Sequence, residues 1–431
     1  MAIIAWQTSP ASGDYNSVGN WSPAVAVPGS LDAASFSTST ITSLFSNGVT
    51  DQVGEWIFNP GAYQYSFANG ISNTNVIEFV GDGIVVNGGG ITVVNNSFGF
   101  CEFYNFSSAS KATLVNSHDI EFHDFSTTGN ANISNLHFLE YFDYASAGNA
   151  VIVNDDLTEF DDFSTAGSAK IHTMGGGQLV FTGFSSGGNA QLNTDAGGTV
   201  DFSPSLGPAG DHRLTVGSIA GAGTYHLGAG QLTVLGNGPP AIVSGPVDDG
   251  GDGHGTGASL VKVGLGKLTL SGAGNTYSGG TMLKQGTLDL AAVGAAGTGS
   301  IAFAGTAKAT LAIANSALSA HHFANPIDNF GKHDFLDLTG LHFHAGATAT
   351  FHHEHLKVRS GGVTDVFTLL SPHGTHFAVA NDGHGGTKIT LQHLLAGGTV
   401  ASLFSHDASV EHWTADAIGN GDHMADYLFV V

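Results

Sequence analysis

Four lines of this sequence stand nineteen residues apart: Glu102-Phe103-Tyr104-Asn105-Phe106-Ser107, Glu121-Phe122-His123-Asp124-Phe125-Ser126, Glu140-Tyr141-Phe142-Asp143-Tyr144-Ala145 and Glu159-Phe160-Asp161-Asp162-Phe163-Ser164. Small-residue turns follow at Thr128-Gly129-Asn130-Ala131, Ala147-Gly148-Asn149-Ala150 and Ala166-Gly167-Ser168-Ala169. A looser copy carries Phe181, Phe184, Gly188, Asn189 and Ala190 after a two-residue insertion. A short fixed period means stacked repeats.

Equivalent positions form columns: Phe103, Phe122, Tyr141, Phe160, Phe181; Phe106, Phe125, Tyr144, Phe163, Phe184; Leu114, Ile133, Ile152, Ile171, Leu192; and Ala112, Ala131, Ala150, Ala169, Ala190. In a parallel β-solenoid each column becomes a ladder of like residues about 4.8 Å apart. The aromatic and aliphatic columns are expected to be continuous core stacks. Asn130, Asn149 and Asn189 sit where the backbone turns, and Asn tolerates the left-handed conformation there. Nineteen residues per coil implies a slim cross-section with little room for an internal ligand. The expected class is all-β, a β-solenoid.

Composition agrees. Of 431 residues 63 are Gly and 11 Pro, while hydrophobic residues make up 42% with 28 Phe, enough for a core. Thirty-five acids against 11 bases give a net charge of −24. That surface repels nucleic acid and anionic membranes and attracts cations. Cys101 is the sole cysteine, so no intramolecular disulfide is possible, and it reads as a small buried hydrophobe. The start, Met1-Ala2-Ile3-Ile4-Ala5-Trp6, has no signal-peptide character, and no apolar run is long enough for a membrane-spanning helix.

Residues 1–60 read as a β-rich cap over an otherwise open solenoid end. Residues 61–300 read as the solenoid, 301–395 as a His-rich β segment and 396–431 as a tail. Short helices are expected only near Leu311 to Ala320 and in the tail. The loop Asp248-Asp249-Gly250-Gly251-Asp252-Gly253-His254-Gly255 superficially resembles a calcium-binding glycine/aspartate nonapeptide and reads equally as a flexible loop.

The stretch Leu260-Val261-Lys262-Val263-Gly264-Leu265-Gly266-Lys267-Leu268-Thr269-Leu270-Ser271-Gly272, then Asn275-Thr276-Tyr277-Ser278-Gly279-Gly280-Thr281 and Gln285-Gly286-Thr287-Leu288-Asp289-Leu290, closely resembles the passenger-associated transport repeat, or autotransporter-associated β-strand repeat. The resemblance implies a right-handed parallel β-helix, secreted or exposed on the surface of a Gram-negative bacterium. Gly19 to Phe36 and Asp334 to Thr387 look like opening and closing segments of such surface proteins. Autotransporters end in a membrane β-barrel of some hundreds of residues, and residues 396–431 are not expected to form one. The tail Ala425-Asp426-Tyr427-Leu428-Phe429-Val430-Val431 resembles the uncleaved signal of type I secretion substrates, which implies export by that route.

Two constellations could carry chemistry. Glu102, Glu121, Glu140 and Glu159 form one acidic column, and Asp124, Asp143 and Asp162 another. Like charges at strand spacing repel unless they face water, shift their pKa values or bind cations between rungs. The columns therefore read as a solvated face, as calcium ligands, or as general acid and base acting on a sugar. Twelve of 22 histidines lie between His321 and His393. His342 with His344, and His353 with His355, alternate as on a strand, so each pair could share a face and ligate zinc or copper. No Gly-X-Ser-X-Gly elbow, Walker loop or dinucleotide fingerprint occurs. The expected function is a secreted surface or extracellular-matrix structural protein, an adhesin or self-assembling fibre or layer subunit, whose partner is itself or a cell-surface glycan. The alternative is a carbohydrate-active β-helix enzyme, a lyase or depolymerase.

Overall fold

A computed structural model describes residues 2–46, 50–70 and 75–392. The chain winds into a β-solenoid of about 14 turns with mostly parallel strands. Residues 1–392 form one compact unit. Among the described residues three sheets run along it, of 13, 16 and 9 strands, here called A, B and C.

The nineteen-residue repeat is one coil. Asp119–Phe122 lies in sheet A and Asn132–Asn135 in sheet B, and the next coil places Phe138–Tyr141 and Val151–Asn154 directly on them. Between the two strands a third corner is held by single parallel bridges from Ser108 through Thr127, Ser146 and Thr165 to Ser186. From Arg213–Val216 onward that corner widens into sheet C. Sheet A ends at Val247–Asp248, and the later coils continue on B and C.

Strand alternation fills the interior. Phe79, Phe103, Phe122, Tyr141, Phe160, Phe181 and Phe202 stack with centroids 4.5–5.2 Å apart. The Leu114-to-Leu192 and Ala112-to-Ala190 columns are buried, as is Cys101. The second aromatic column is not core, contrary to expectation. Phe106, Phe125, Tyr144 and Phe163 are 75%, 54%, 54% and 47% exposed. The cause is the turn before each ring: Asn105, Asp124, Asp143 and Asp162 take left-handed φ of 59°, 56°, 52° and 51°, which swings the next side chain outward.

Both described ends depart from the parallel ladder. Trp21–Ser22 pairs antiparallel with Ile3–Trp6 over a cluster of Trp6, Tyr15, Trp21 and Phe36. Ile3–Trp6, Ala33–Phe36 and Thr50–Phe58 are themselves parallel members of sheet A. At the other end Thr387–Leu391 runs antiparallel to Asp334–Leu338, and Thr348–His352, His355–Ser360 and Val363–Leu370 form an antiparallel meander. The helix expected near Leu311 is absent. Ala309–Ile313 is a strand, followed by a single 3-10 turn at Asn315–Ala317. In-register pairing of Leu311 and Ile313 with Leu288 and Leu290 on one side and Leu336 and Leu338 on the other overrides local propensity. The tail expectations fall outside the described residues.

Candidate functional site

The Glu column lies on the outer surface of sheet A. Glu78, Glu102, Glu121, Glu140 and Glu159 are paired in register, and Val180 ends the series. Each Glu alternates with an inward neighbour, so its stem packs on the sheet while its head reaches solvent. Burial, with neighbouring carboxylates, pushes Glu102, Glu140 and Glu159 above the usual carboxylate range. Local donors relieve part of the repulsion. The Tyr104 hydroxyl donates to Glu102 at 2.7 Å, and His123 Nε2 lies 2.7 Å from Glu121. Burial opposes charge on His123, but the Glu121 hydrogen bond and the charges of Glu121, Glu102 and Asp143 outweigh it and raise its pKa.

Asp119 joins this face two residues before Glu121. Burial and then Glu121, Glu140 and Glu102 push its carboxyl up to about 7. Its Oδ1 is buried with no hydrogen-bond partner. Asp119, Glu121 and Glu140 bring one carboxylate oxygen each within 4.8 Å of one another, the arrangement among the described residues that could hold a metal ion. Sequence reasoning missed Asp119 because its column is otherwise Phe100, Phe138 and Leu157. The available signal was its i, i+2 relation to Glu121, which shares a strand face.

The Asp column is built differently. Its residues occupy the left-handed turn, and each carboxylate reaches back one rung to a peptide. Asp124 Oδ2 accepts from Asn105 N–H at 2.8 Å, Asp143 from Asp124 at 3.1 Å and Asp162 from Asp143 at 3.2 Å. These carboxylates, half-buried at Asp124 and exposed at Asp143 and Asp162, are therefore coil staples as well as charges. Immediately beside them, Phe106, Phe125, Tyr144, Phe163 and Phe184 stack at 5.0–5.3 Å with interplanar angles of 7–12°. Their faces cover one another, so the stripe presents ring edges to solvent.

The histidines are placed otherwise than expected. His342 and His344 lie outside any strand, with ring centroids 5.5 Å apart. His353 sits in the two-residue hairpin turn with Glu354, both at positive φ, and His355 begins the next strand opposite His352. The shared strand faces inferred for the two pairs do not form. In the Asp248–Gly255 loop, the Asp249 carboxylate accepts from Gly257, Ala258 and Ser278 N–H and from the Ser278 hydroxyl, which ties the loop to the following coils.

One structural feature that sequence reasoning passed over is a buried asparagine ladder at the sheet B corner. Each side chain donates to the next: Asn69 to Asn95 at 2.9 Å, Asn95 to Asn116 at 3.0 Å, Asn116 to Asn135 at 2.8 Å and Asn135 to Asn154 at 2.9 Å. The same amides also reach main-chain carbonyls of the next coil, as Asn116 to Phe138 and Asn135 to Leu157.

Residues 260–290 match the family model described as the passenger-associated-transport-repeat. The chain carries a passenger-associated transport repeat. No curated protein and no solved structure matches the chain. The passenger repeat folds as Ser259–Lys262 and Thr281–Leu283 in sheet C, alternating with Lys267–Leu270 and Gly286–Leu290 in sheet B. Lys262, fully buried, ties it together: Nζ donates to the carbonyls of Val263, Gly264 and Gln285 at 2.6, 2.8 and 3.3 Å. The passenger repeat and the solenoid together indicate a passenger-like, secreted or surface protein of a Gram-negative bacterium. Among the described residues no helix is long and apolar enough to cross a membrane.

Proposed function

We propose that this protein is a structural component of the cell surface or extracellular matrix, and that rods associate side by side through the Glu ladder of sheet A and the aromatic stripe in the turns that follow its strands, with calcium between their carboxylates. One observation carries the reading: an exposed aromatic stack runs unbroken from Phe106 to Phe163, and on to a half-buried Phe184, beside the Asp staples and in the same coils as the Glu ladder. A repeating surface of this length suits an extended partner bearing the same repeat. Stacked rings with covered faces offer edges, which pack against aromatic or aliphatic protein surface. The acids oppose such contact until a cation neutralises them, and Asp119, Glu121 and Glu140 supply oxygen ligands of the kind calcium takes.

Electron microscopy of the purified chain with millimolar calcium or with chelator tests this. Filaments or layers are expected with calcium, and the variant Phe125→Ser/Tyr144→Ser is expected to remain dispersed. Assemblies that ignore both calcium and those substitutions would remove the proposal.

A further inference from the structure

The outer surface of sheet B carries a cleft of about 380 Å³, within the range of small-molecule sites. Its floor is the outward side of Val151–Asn154, Lys170–Thr173, Gln191–Thr194 and Ser218–Gly221, adjacent strands in register. Its overhang is residues 235–240, which link Gln231–Val234 in sheet C to Ala241–Val243 in sheet B. Gly238 lies over the floor: a Cβ there would stand 3.7 Å from Gln191 Nε2 and Ser218 Oγ. This overhang leaves Ser218 only 8% exposed although it points outward.

We propose that this cleft binds an uncharged saccharide of one or two rings. Several polar groups lining it have unspent hydrogen-bonding capacity. Lys170, Gln191, Asn193 and the Ser218 hydroxyl make no side-chain hydrogen bond to the described residues. His172 is held by Asp195 at 3.0 Å. Val151 and Val153 form an apolar plate on one side, and Pro239-Pro240 a rigid apolar wall on the other. A sugar ring matches both features, with C–H faces for the plates and a hydroxyl rim for amide, hydroxyl and ammonium groups.

An extended peptide fits less well. The floor strands pair with neighbours on both sides, so their N–H and C=O groups are spent in the ladder, and the cleft offers no strand edge to extend. A polyanion is disfavoured by the net charge of −24 and by the Asp195 carboxylate held at His172 in the cleft wall.

Isothermal titration and NMR titration of the full chain with cellobiose, lactose, maltose and chitobiose test the proposal, with digalacturonate and a tetrapeptide as competing classes. At least one neutral disaccharide is expected to bind with a Kd of about millimolar or tighter. Gln191→Ala/Asn193→Ala should weaken it about tenfold. Ala220→Trp, which places a ring in the cleft from an outward position, should abolish it. If Ala220→Trp lowers the melting temperature, the double variant carries the test. Tyr144→Ser, on the other face, should bind sugar normally, which separates this inference from the association proposal. The inference is overturned if no neutral disaccharide binds at about 10 mM. It is equally overturned if digalacturonate or the peptide binds more tightly, or if binding survives the double variant.

Discussion

Adjacent residues in one coil differ sharply in what they contribute. Phe122 is fully buried between Phe103 and Tyr141, so Phe122→Ala opens a cavity in a continuous stack and is expected to cost about 3–5 kcal/mol. Ser126 is also fully buried, but its hydroxyl has no partner, and the next coil places Ala145 at the equivalent position. Ser126→Ala should therefore be neutral or stabilising. Denaturant unfolding of the two variants measures both, and a large loss in Ser126→Ala would mean that the hydroxyl is hydrogen-bonded after all. Asn135 is the opposite kind of buried polar residue. It donates to Asn154 and to the Leu157 carbonyl, so Asn135→Ala strands acceptors on the next coil and is expected to cost at least about 2 kcal/mol.

The acidic ladder is where pH acts. Asp119, Glu102, Glu140 and Glu159 have folded-state pKa values above their unfolded ones. The folded state therefore holds more protons, and stability falls as pH rises from about 4 through about 7. His123 is also raised, so its contribution is complete below about pH 6.5 and fades as pH rises through its higher folded value, in the same direction. Melting temperature should drop across this window in chelator. Asp119→Asn should flatten the upper part of the drop, and calcium should restore stability near neutrality. A melting temperature that climbs from pH 4 to 7 would contradict the sign. Much of this ladder was legible, because a nineteen-residue period fixes which residues pair, and the pairing is in register from Glu102 to Glu159. The orientation of the second aromatic column was misread. Phe103 and Phe106 are three positions apart, so strand parity already sets them on opposite sides, and the left-handed turn at Asn105 finishes the separation. The Asn ladder shares the period but was overlooked because polar residues were not sought inside. The His pairs do not share strand faces because the chain forms turns rather than a strand over Leu341 to Ala347, and because His353 lies in the hairpin turn before His355.

Across the whole molecule, stability should be distributed coil by coil, since each coil touches chiefly its neighbours. Deleting residues 125–143 removes one repeat and joins Asp124 to Tyr144, which preserves every column. The shortened chain is expected to fold with a melting temperature lower by a few degrees, and loss of cooperative unfolding would show that the coils are not interchangeable. The antiparallel strands at both described ends turn the ladder edges away from simple end-to-end extension, which favours lateral contact through a repeating side. Among the described residues that repeating side is the Glu ladder of sheet A with the aromatic stripe in the turns that follow its strands, whereas the cleft on sheet B is a single site. Sedimentation velocity of the intact chain in calcium and in chelator tests the lateral claim most directly. The account predicts large species in calcium that return to monomer in chelator and are lost in Phe125→Ser/Tyr144→Ser. A monomer under both conditions would contradict it.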